Sequence, residues 1–317
     1  MKENINFLYC FDKNYNLQAF TSMISILDNS SIKINIYIIH NEKDFISQIP
    51  PKILNHHNLN YIKTYQFKDY DYEFPNVNNS HVSVATYYRL FIKNYLPESE
   101  KFYIFLDPDV ICIQDPIKEI NNTISQMVKT KYIISAKTEH SFGIDRLNVT
   151  DKYFNAGVMV INFDQWITKN LHEKLILKLI ELKDNIVQWD QDVLNSLLNG
   201  EYFELSETLN FKAFRPSIKT GEKQIVFIHY MGSHKPWLTS GIFQKDSNFY
   251  HLNFKKIKNI NYHIVHKWRL RSLTDFILAI LTFKIFRLEN PLLFTLDFIN
   301  SLLNNKKFQN YTKNIDN

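Results

Sequence analysis

The sequence predicts an α/β fold on a mainly parallel sheet, with a smaller helical appendage at its C-terminal end. Three observations predict it. Short β-branched or aromatic runs alternate with stretches of helical spacing through the first half of the chain. Carboxylates and imidazoles follow directly after several of those runs. After Trp237 the pattern changes to aromatic and basic residues without such alternation. Alternation of this kind marks βαβ units, whose crossovers make neighbouring strands parallel.

Taken in order, Ile5 to Phe11 is an apolar run of strand length and reads as the first strand. Leu17, Phe20, Met23, Ile24 and Leu27 then recur at three- and four-residue spacing, which predicts a helix with one apolar face. Lys33 to His40, Leu59 to Phe67 and Lys101 to Leu106 supply three more strands. Tyr132 to Ala136 and Val158 to Asn162 read as strands, Gln165 to Lys183 as a helix, and a second helix starts near Asp190. Gln224 to His229 is a last strand ending in a polar loop. A domain boundary is expected near 250, giving a catalytic domain over residues 1–250 and an appendage over 251–317.

With 317 residues and 45% hydrophobic side chains the chain can bury a large core. Only 6 glycines and 9 prolines occur, and no repeat or low-complexity stretch interrupts the pattern. Cys10 and Cys112 both lie within apolar runs, where cysteine serves as a small buried hydrophobe, and this suits a reducing cytoplasm. No signal-peptide pattern precedes the first strand, and no run reaches the ~18 to 20 uncharged residues needed to span a bilayer; the nearest is Phe276 to Phe283.

The net charge of +5 conceals an asymmetry. From Lys255 onward 11 Lys and Arg face 4 Asp and Glu, a balance of +7 that leaves the first 254 residues at −2. Basic residues confined to one terminal section, with no recognised motif, argue against a nucleic-acid partner. Leu273, Phe276, Ile277, Ile280, Leu281, Ile285 and Leu288 recur at helical spacing, with Lys267, Arg269, Arg271, Lys284 and Arg287 nearby. That is the pattern of an amphipathic helix lying on an anionic surface, so peripheral attachment to the inner face of the cytoplasmic membrane is expected. A helix packed on the catalytic domain is the alternative.

In parallel sheets ligands bind beyond the carboxyl ends of the strands. There the sequence places Asp107-Pro108-Asp109, two hard oxygen donors on a stiff turn, suited to Mg²⁺ or Mn²⁺. The last strand runs into His229-Tyr230-Met231-Gly232-Ser233-His234-Lys235-Pro236-Trp237. His229 can complete a metal site, Gly232 can admit backbone amides to a diphosphate, and Lys235 can neutralise phosphate charge. Other marked segments are Trp189-Asp190-Gln191-Asp192, Phe154-Asn155-Ala156-Gly157 and the run from His81 to Arg89, where Thr86 and Arg89 fall three apart on one helix face. Each has a bland reading: Asp190 as a helix N-cap, Asn155 to Gly157 as a turn, Arg89 as a solvated charge.

Together and in this order the segments resemble glycosyltransferase family 8, in particular its bacterial lipopolysaccharide galactosyl- and glucosyltransferases. The resemblance runs from about Asn4 to Trp237 and includes Phe11-Asp12-Lys13-Asn14-Tyr15. It implies a GT-A nucleotide-binding fold, Mn²⁺ (or Mg²⁺) dependence, and retaining transfer of a hexose from a UDP-sugar to a saccharide or glycolipid acceptor. Carried over residue by residue, Asp12, Asn14 and Tyr15 hold the uracil and ribose, Tyr15 by stacking. Asp107, Asp109 and His229 hold the metal, with Asp107 also near the donor. Gly232 and Lys235 face the phosphates. His81, Arg89, Asn155, Ala156, Asp190 and Gln191 surround the donor sugar, with Gln191 and Asp190 acting at the reacting carbon. The Asp12-Lys13 pair departs from the two consecutive acids common in the family. A metal-dependent nucleotidyltransferase or nucleotide-sugar phosphohydrolase would need the same aspartates and lysine, and is the rival reading.

Overall fold

The computed structural model describes residues 4–68, 74–75, 83–139, 147, 149, 152–214 and 224–303. In chain order the elements begin β1 (Ile5–Phe11), α1 (Asn16–Asn29), β2 (Ile34–His40), α2 (Pro51–Leu54) and β3 (Leu59–Gln66). A 3-10 segment, Val84–Asn94, precedes β4 (Phe102–Leu106), β5 (Val110–Cys112), α3 (Ile117–Thr130) and β6 (Ile134–Thr138). Then come β7 (Phe154–Asn162), α4 (Phe163–Thr168), α5 (Leu171–Leu182), α6 (Trp189–Leu198), β8 (Phe203–Glu204), β9 (Phe211–Lys212) and β10 (Phe227–His229). The C-terminal part holds α7 (Thr239–Ile242), α8 (Ser247–Ile257), α9 (Arg269–Leu281) and α10 (Pro291–Leu303).

The main sheet runs β3-β2-β1-β4-β7-β6-β8. Its first four strands are parallel and β7 runs against both neighbours, so the expected α/β sheet is mixed around a parallel half. Period-2 alternation sends successive side chains to opposite faces. Phe7, Tyr9 and Phe11 join a core with α1 and α8, while Leu8 and Cys10 join a second core under α4, α5 and α6. Cys10 and Cys112 are free and buried, as expected.

Three differences from the sequence reading have local causes. The helix expected over 165–183 is two helices, because Asn170 takes a left-handed backbone (φ 51°) that ends α4. Helix α3 was not expected, although Ile117, Ile120, Ile124 and Met127 recur at helical spacing along it. The residues around Thr86 and Arg89 form a 3-10 segment rather than an α-helix.

Residue 250, near which the domain boundary is expected, lies within α8, whose Tyr250 and Phe254 belong to the first core. A third core, with Ile242, Phe243, Tyr262, Phe276, Ile285, Leu288, Phe294 and Phe298, joins α7, α9 and α10. The apolar stripe of the tail is therefore divided. Phe276, Ile285 and Leu288 pack inward, while Leu273, Ile277, Ile280 and Leu281 remain exposed. Among the described residues no helix is long and apolar enough to cross a membrane.

Candidate active site

Two antiparallel pairings assemble the site. Leu106 pairs with Val158, so the chain leaving β4 meets the start of β7, and the Asp107 N–H donates to the Gly157 carbonyl (2.8 Å). Val110 pairs with His229, which brings the end of β10 beside Asp109, and the Tyr230 N–H donates to the Asp109 carbonyl (3.1 Å). One carboxylate oxygen each from Asp107 and Asp109 and a His229 ring nitrogen thus lie within 4.8 Å of one another. His229 Nε2 is 3.3 Å from Asp109 and 3.9 Å from Asp107.

The imidazole is oriented from behind. Its Nδ1 donates to Asn210 Oδ1 (2.9 Å), and Asn210 Nδ2 donates in turn to Asn155 Oδ1 (3.1 Å). A proton on Nδ1 leaves the Nε2 lone pair facing the two carboxylates, the tautomer a metal ligand requires. Two carboxylates and an imidazole are compatible with a divalent cation. Close approach also depends on Gly157, where a Cβ would lie 2.1 Å from His229 Cε1 and 2.7 Å from Asp107 Oδ2.

Lys235, buried at 6% exposure, makes an ion pair with Asp109 and donates to the Tyr230 carbonyl (2.8 Å). Burial alone would raise the Asp109 carboxyl, but the Lys235 ammonium pulls the other way and holds Asp109 well below the usual carboxylate range.

Arg89 is buried, contrary to its bland reading as a solvated charge. It contacts Asp107 (2.9 Å), Asp190 (2.8 Å) and the Ala156 carbonyl (2.6 Å), with its guanidinium 4.0 Å from the Phe105 ring centre. It therefore links a candidate metal ligand to the Asp190-Gln191 pair. Asp190 also accepts a hydrogen bond from Thr86, and burial pushes its carboxyl up to about 6 while Arg89 pulls the other way.

Asp190 does not cap α6 with its side chain. Asp192 instead ties down the chain entering the helix, its Oδ2 accepting from the N–H groups of Val187 and Gln188 (both 2.8 Å). Trp189, just before Asp190, holds a left-handed backbone at φ 48°, an unfavourable state for a bulky residue of the kind that gathers at functional sites. Asn155 and Ala156 lie in strand β7, not in a turn. Gln191 Oε1 accepts from the Ala156 N–H (2.9 Å) and Asn155 Nδ2 (3.3 Å).

Tyr15, Arg89, Asp107, Asp109 and Lys235 line one open cleft, together with Phe11 and Thr86. Asp12 caps the turn that carries Tyr15, accepting from the Asn14 N–H (2.9 Å). Burial raises the Tyr15 hydroxyl, with the charges of Asp109, Asp12 and Asp107 adding to the rise. Gly232 is exposed at φ 79°, with nothing within 4 Å of a Cβ built there. His81 lies outside the described residues.

Sequence reasoning gave no role to three residues here. Gly157 stood in a marked segment and was read as part of a turn before the strand, although a glycine at a strand's edge can also mark close backbone approach. Asn210 sits in a short loop before β9 with no pattern to single it out. Glu139, whose Oε2 accepts from Asn155 Nδ2 (3.3 Å), is brought to the site only by the pairing of β6 with β7.

Comparison with known proteins places the chain in a family. The chain is 28% identical over 282 residues to general stress protein A of Bacillus subtilis, covering 81% of this chain and 96% of that one. It is 31% identical over 179 residues to a lipopolysaccharide 1,3-galactosyltransferase of Salmonella typhimurium, 52% of either chain. Among solved structures, the galactosyltransferase LgtC, crystallised with donor and acceptor sugar analogues, superposes with a TM-score of 0.68. That match covers 80% of this chain and 96% of that one at 19% identity, and so speaks to the GT-A fold alone. The family profile itself matches residues 6–241, about three quarters of the 317 residues, and spans every element that builds the cleft. The chain belongs to glycosyl transferase family 8.

Proposed function

We propose that this glycosyltransferase moves galactose or glucose from a UDP-sugar to a saccharide or glycolipid acceptor with retention of configuration, in lipopolysaccharide or lipooligosaccharide assembly. The observation that carries the reading is the convergence of Asp107, Asp109 and His229 beside Lys235, in a cleft that also holds Tyr15. Breaking the donor's anomeric bond places negative charge on a departing diphosphate and positive charge on the sugar ring. Asp107, Asp109 and His229 would hold a Mn²⁺ or Mg²⁺, which would supply positive charge to the diphosphate.

The chain's own residues do the rest. Lys235 adds a second positive charge at the phosphates, and Gly232 opens the backbone toward them. Tyr15 stacks on the uracil, with Asp12 and Asn14 shaping its turn. Arg89 fixes Asp107 toward the cation and Asp190 toward the sugar hydroxyls. Gln191, whose amide oxygen is already held by Ala156 and Asn155, acts as a fixed dipole facing the oxocarbenium-like carbon. An amide tied in this way is a poor nucleophile, which favours attack by the acceptor on the face the diphosphate leaves over a covalent glycosyl-enzyme.

The test is a donor screen with UDP-galactose and UDP-glucose against saccharide acceptors, the product's anomeric configuration being read by NMR. Acceptor-stimulated UDP release with a retained anomer is expected. An inverted product, or release of sugar phosphate, would overturn the reading.

We further propose that the C-terminal unit rests on the cytoplasmic membrane surface. Trp268, Leu270, Leu281, Phe283, Phe286 and Leu292 are each at least 68% exposed. Exposed Lys267, Arg271, Lys284 and Arg287 occur among them in sequence. Apolar exposure on this scale, joined to basic residues, suits an anionic bilayer. Substituting Phe283, Phe286 and Leu292 by serine should abolish flotation with anionic liposomes while donor hydrolysis persists. Undiminished flotation would refute the proposal.

A further inference from the structure

We propose that Lys235 is an exchangeable counter-ion: it holds Asp109 until a divalent cation and the diphosphate arrive together, then shifts its ammonium to the diphosphate, so that metal and nucleotide bind with positive linkage. The inference rests on the reading of Asp107, Asp109 and His229 as cation ligands.

Asp109 Oδ2 is held by the Lys235 ammonium, while Oδ1 stands 3.3 Å from the His229 Nε2 lone pair, where a cation would join them. A cation taking Asp109 therefore competes with an ammonium already seated on it, and the two positive charges repel in a site where water screens little. Charge balance points the same way. Asp107, Asp109 and Asp190 stand against Arg89 and Lys235, a surplus of one negative charge. A divalent cation alone turns this into a positive surplus, whereas a cation arriving with a diphosphate does not, and the phosphates then offer Lys235 a new partner.

The fold restricts the movement to the side chain. The Lys235 carbonyl accepts from the Leu238 N–H (3.0 Å), and a Cβ on Gly241 would lie only 2.4 Å from that same oxygen. The Pro236 carbonyl accepts from His251 Nε2 (3.0 Å), and the Trp237 carbonyl from the Val265 N–H (2.8 Å). The backbone on both sides of the lysine is therefore pinned, while its flexible four-carbon stem enters the cleft that Tyr15 and Asp107 line.

The experiment is calorimetric titration of the full chain with Mn²⁺, with and without UDP, for wild type, Lys235→Gln and Lys212→Gln. Lys212 is an exposed lysine beside Glu139, 3.7 Å away, and serves as the control for charge without contact. Lys235→Gln should bind Mn²⁺ alone at least about fivefold more tightly than wild type, and UDP should strengthen Mn²⁺ binding by a smaller factor in the variant. Lys212→Gln should follow wild type. If the glutamine variant melts early, Lys235→Met keeps the buried aliphatic stem and carries the same expectation. A purely structural lysine predicts the opposite sign, so equal or weaker Mn²⁺ binding by the variants overturns the proposal. Equal tightening in Lys212→Gln also overturns it. A wild-type chain that binds no Mn²⁺, with or without UDP, removes the cation reading itself and this inference with it.

Discussion

Alanine at Gly157 puts a methyl group into the His229 ring. The Cβ would stand 2.1 Å from His229 Cε1, whereas non-bonded carbons rest at about 3.5–4.0 Å, so the ring must retreat by roughly 1.4 Å or more. It would also lie 2.7 Å from Asp107 Oδ2, and both neighbours belong to the same three-residue cluster. Metal sites tolerate ligand displacements of only about 0.2 Å, so Gly157→Ala should leave at most two of the three ligands in place. Misplacement on the order of 1 Å costs about a hundredfold in rate. Overpacking should add a destabilisation of about 1–3 kcal/mol. Calorimetry with Mn²⁺, turnover of the UDP-sugar and thermal melting read the three effects. A variant with wild-type Mn²⁺ affinity and turnover would show that Gly157, His229 and Asp107 do not act as one site.

Asn210→Leu removes the acceptor that orients His229 Nδ1, and should weaken Mn²⁺ binding by about 10- to 100-fold without unfolding the chain; unchanged affinity would show that the tautomer is set elsewhere. Arg89→Met leaves Asp190 buried opposite no positive charge, and urea unfolding should register a loss of about 3–5 kcal/mol, against a change under 1 kcal/mol if the arginine is dispensable. Burial holds the His251 and His263 rings down at about 3, against 6.5 in an unfolded chain. Because the folded values are the lower ones, the unfolded chain takes up more protons in that window. The stability these rings protect is complete above pH 6.5 and falls as the pH drops toward 3. Between pH 6.5 and 5 the loss is about 2 kcal/mol for each ring, and a urea midpoint that stays flat across that range would contradict it.

Strands β1, β2 and β4 were legible because each is a short apolar run bounded by polar residues, β3 because β-branched and aromatic residues recur along it, and Asp107 and His229 because they stand at the carboxyl ends of strands. What the sequence could not show is how β7 pairs. Its antiparallel register against β4 carries Gly157 to Asp107, and nothing in the local pattern encodes a contact across about fifty residues. The same limit applies to Arg89. An arginine three residues from a threonine looks like surface, and only the folded chain brings Asp107 and Asp190 to it from two distant elements. In the tail, spacing revealed the apolar stripe but not that Phe276, Ile285 and Leu288 would be spent on an internal core with Phe294 and Phe298. Asp190 was open to a capping reading because it opens a helix, yet it is the Asp192 carboxylate that reaches back to Val187 and Gln188.

The central claim is that Asp107, Asp109 and His229 hold a cation essential for transfer from a UDP-sugar. The most direct measurement is UDP release from UDP-galactose and UDP-glucose with a saccharide acceptor, for wild type and Asp109→Asn, with EDTA and after Mn²⁺ is returned. The account predicts acceptor-dependent release by wild type that EDTA abolishes and Mn²⁺ restores, and a loss of at least about a hundredfold in Asp109→Asn when Mn²⁺ is present. Full activity in EDTA, or an Asp109→Asn variant that turns over at the wild-type rate, would contradict it.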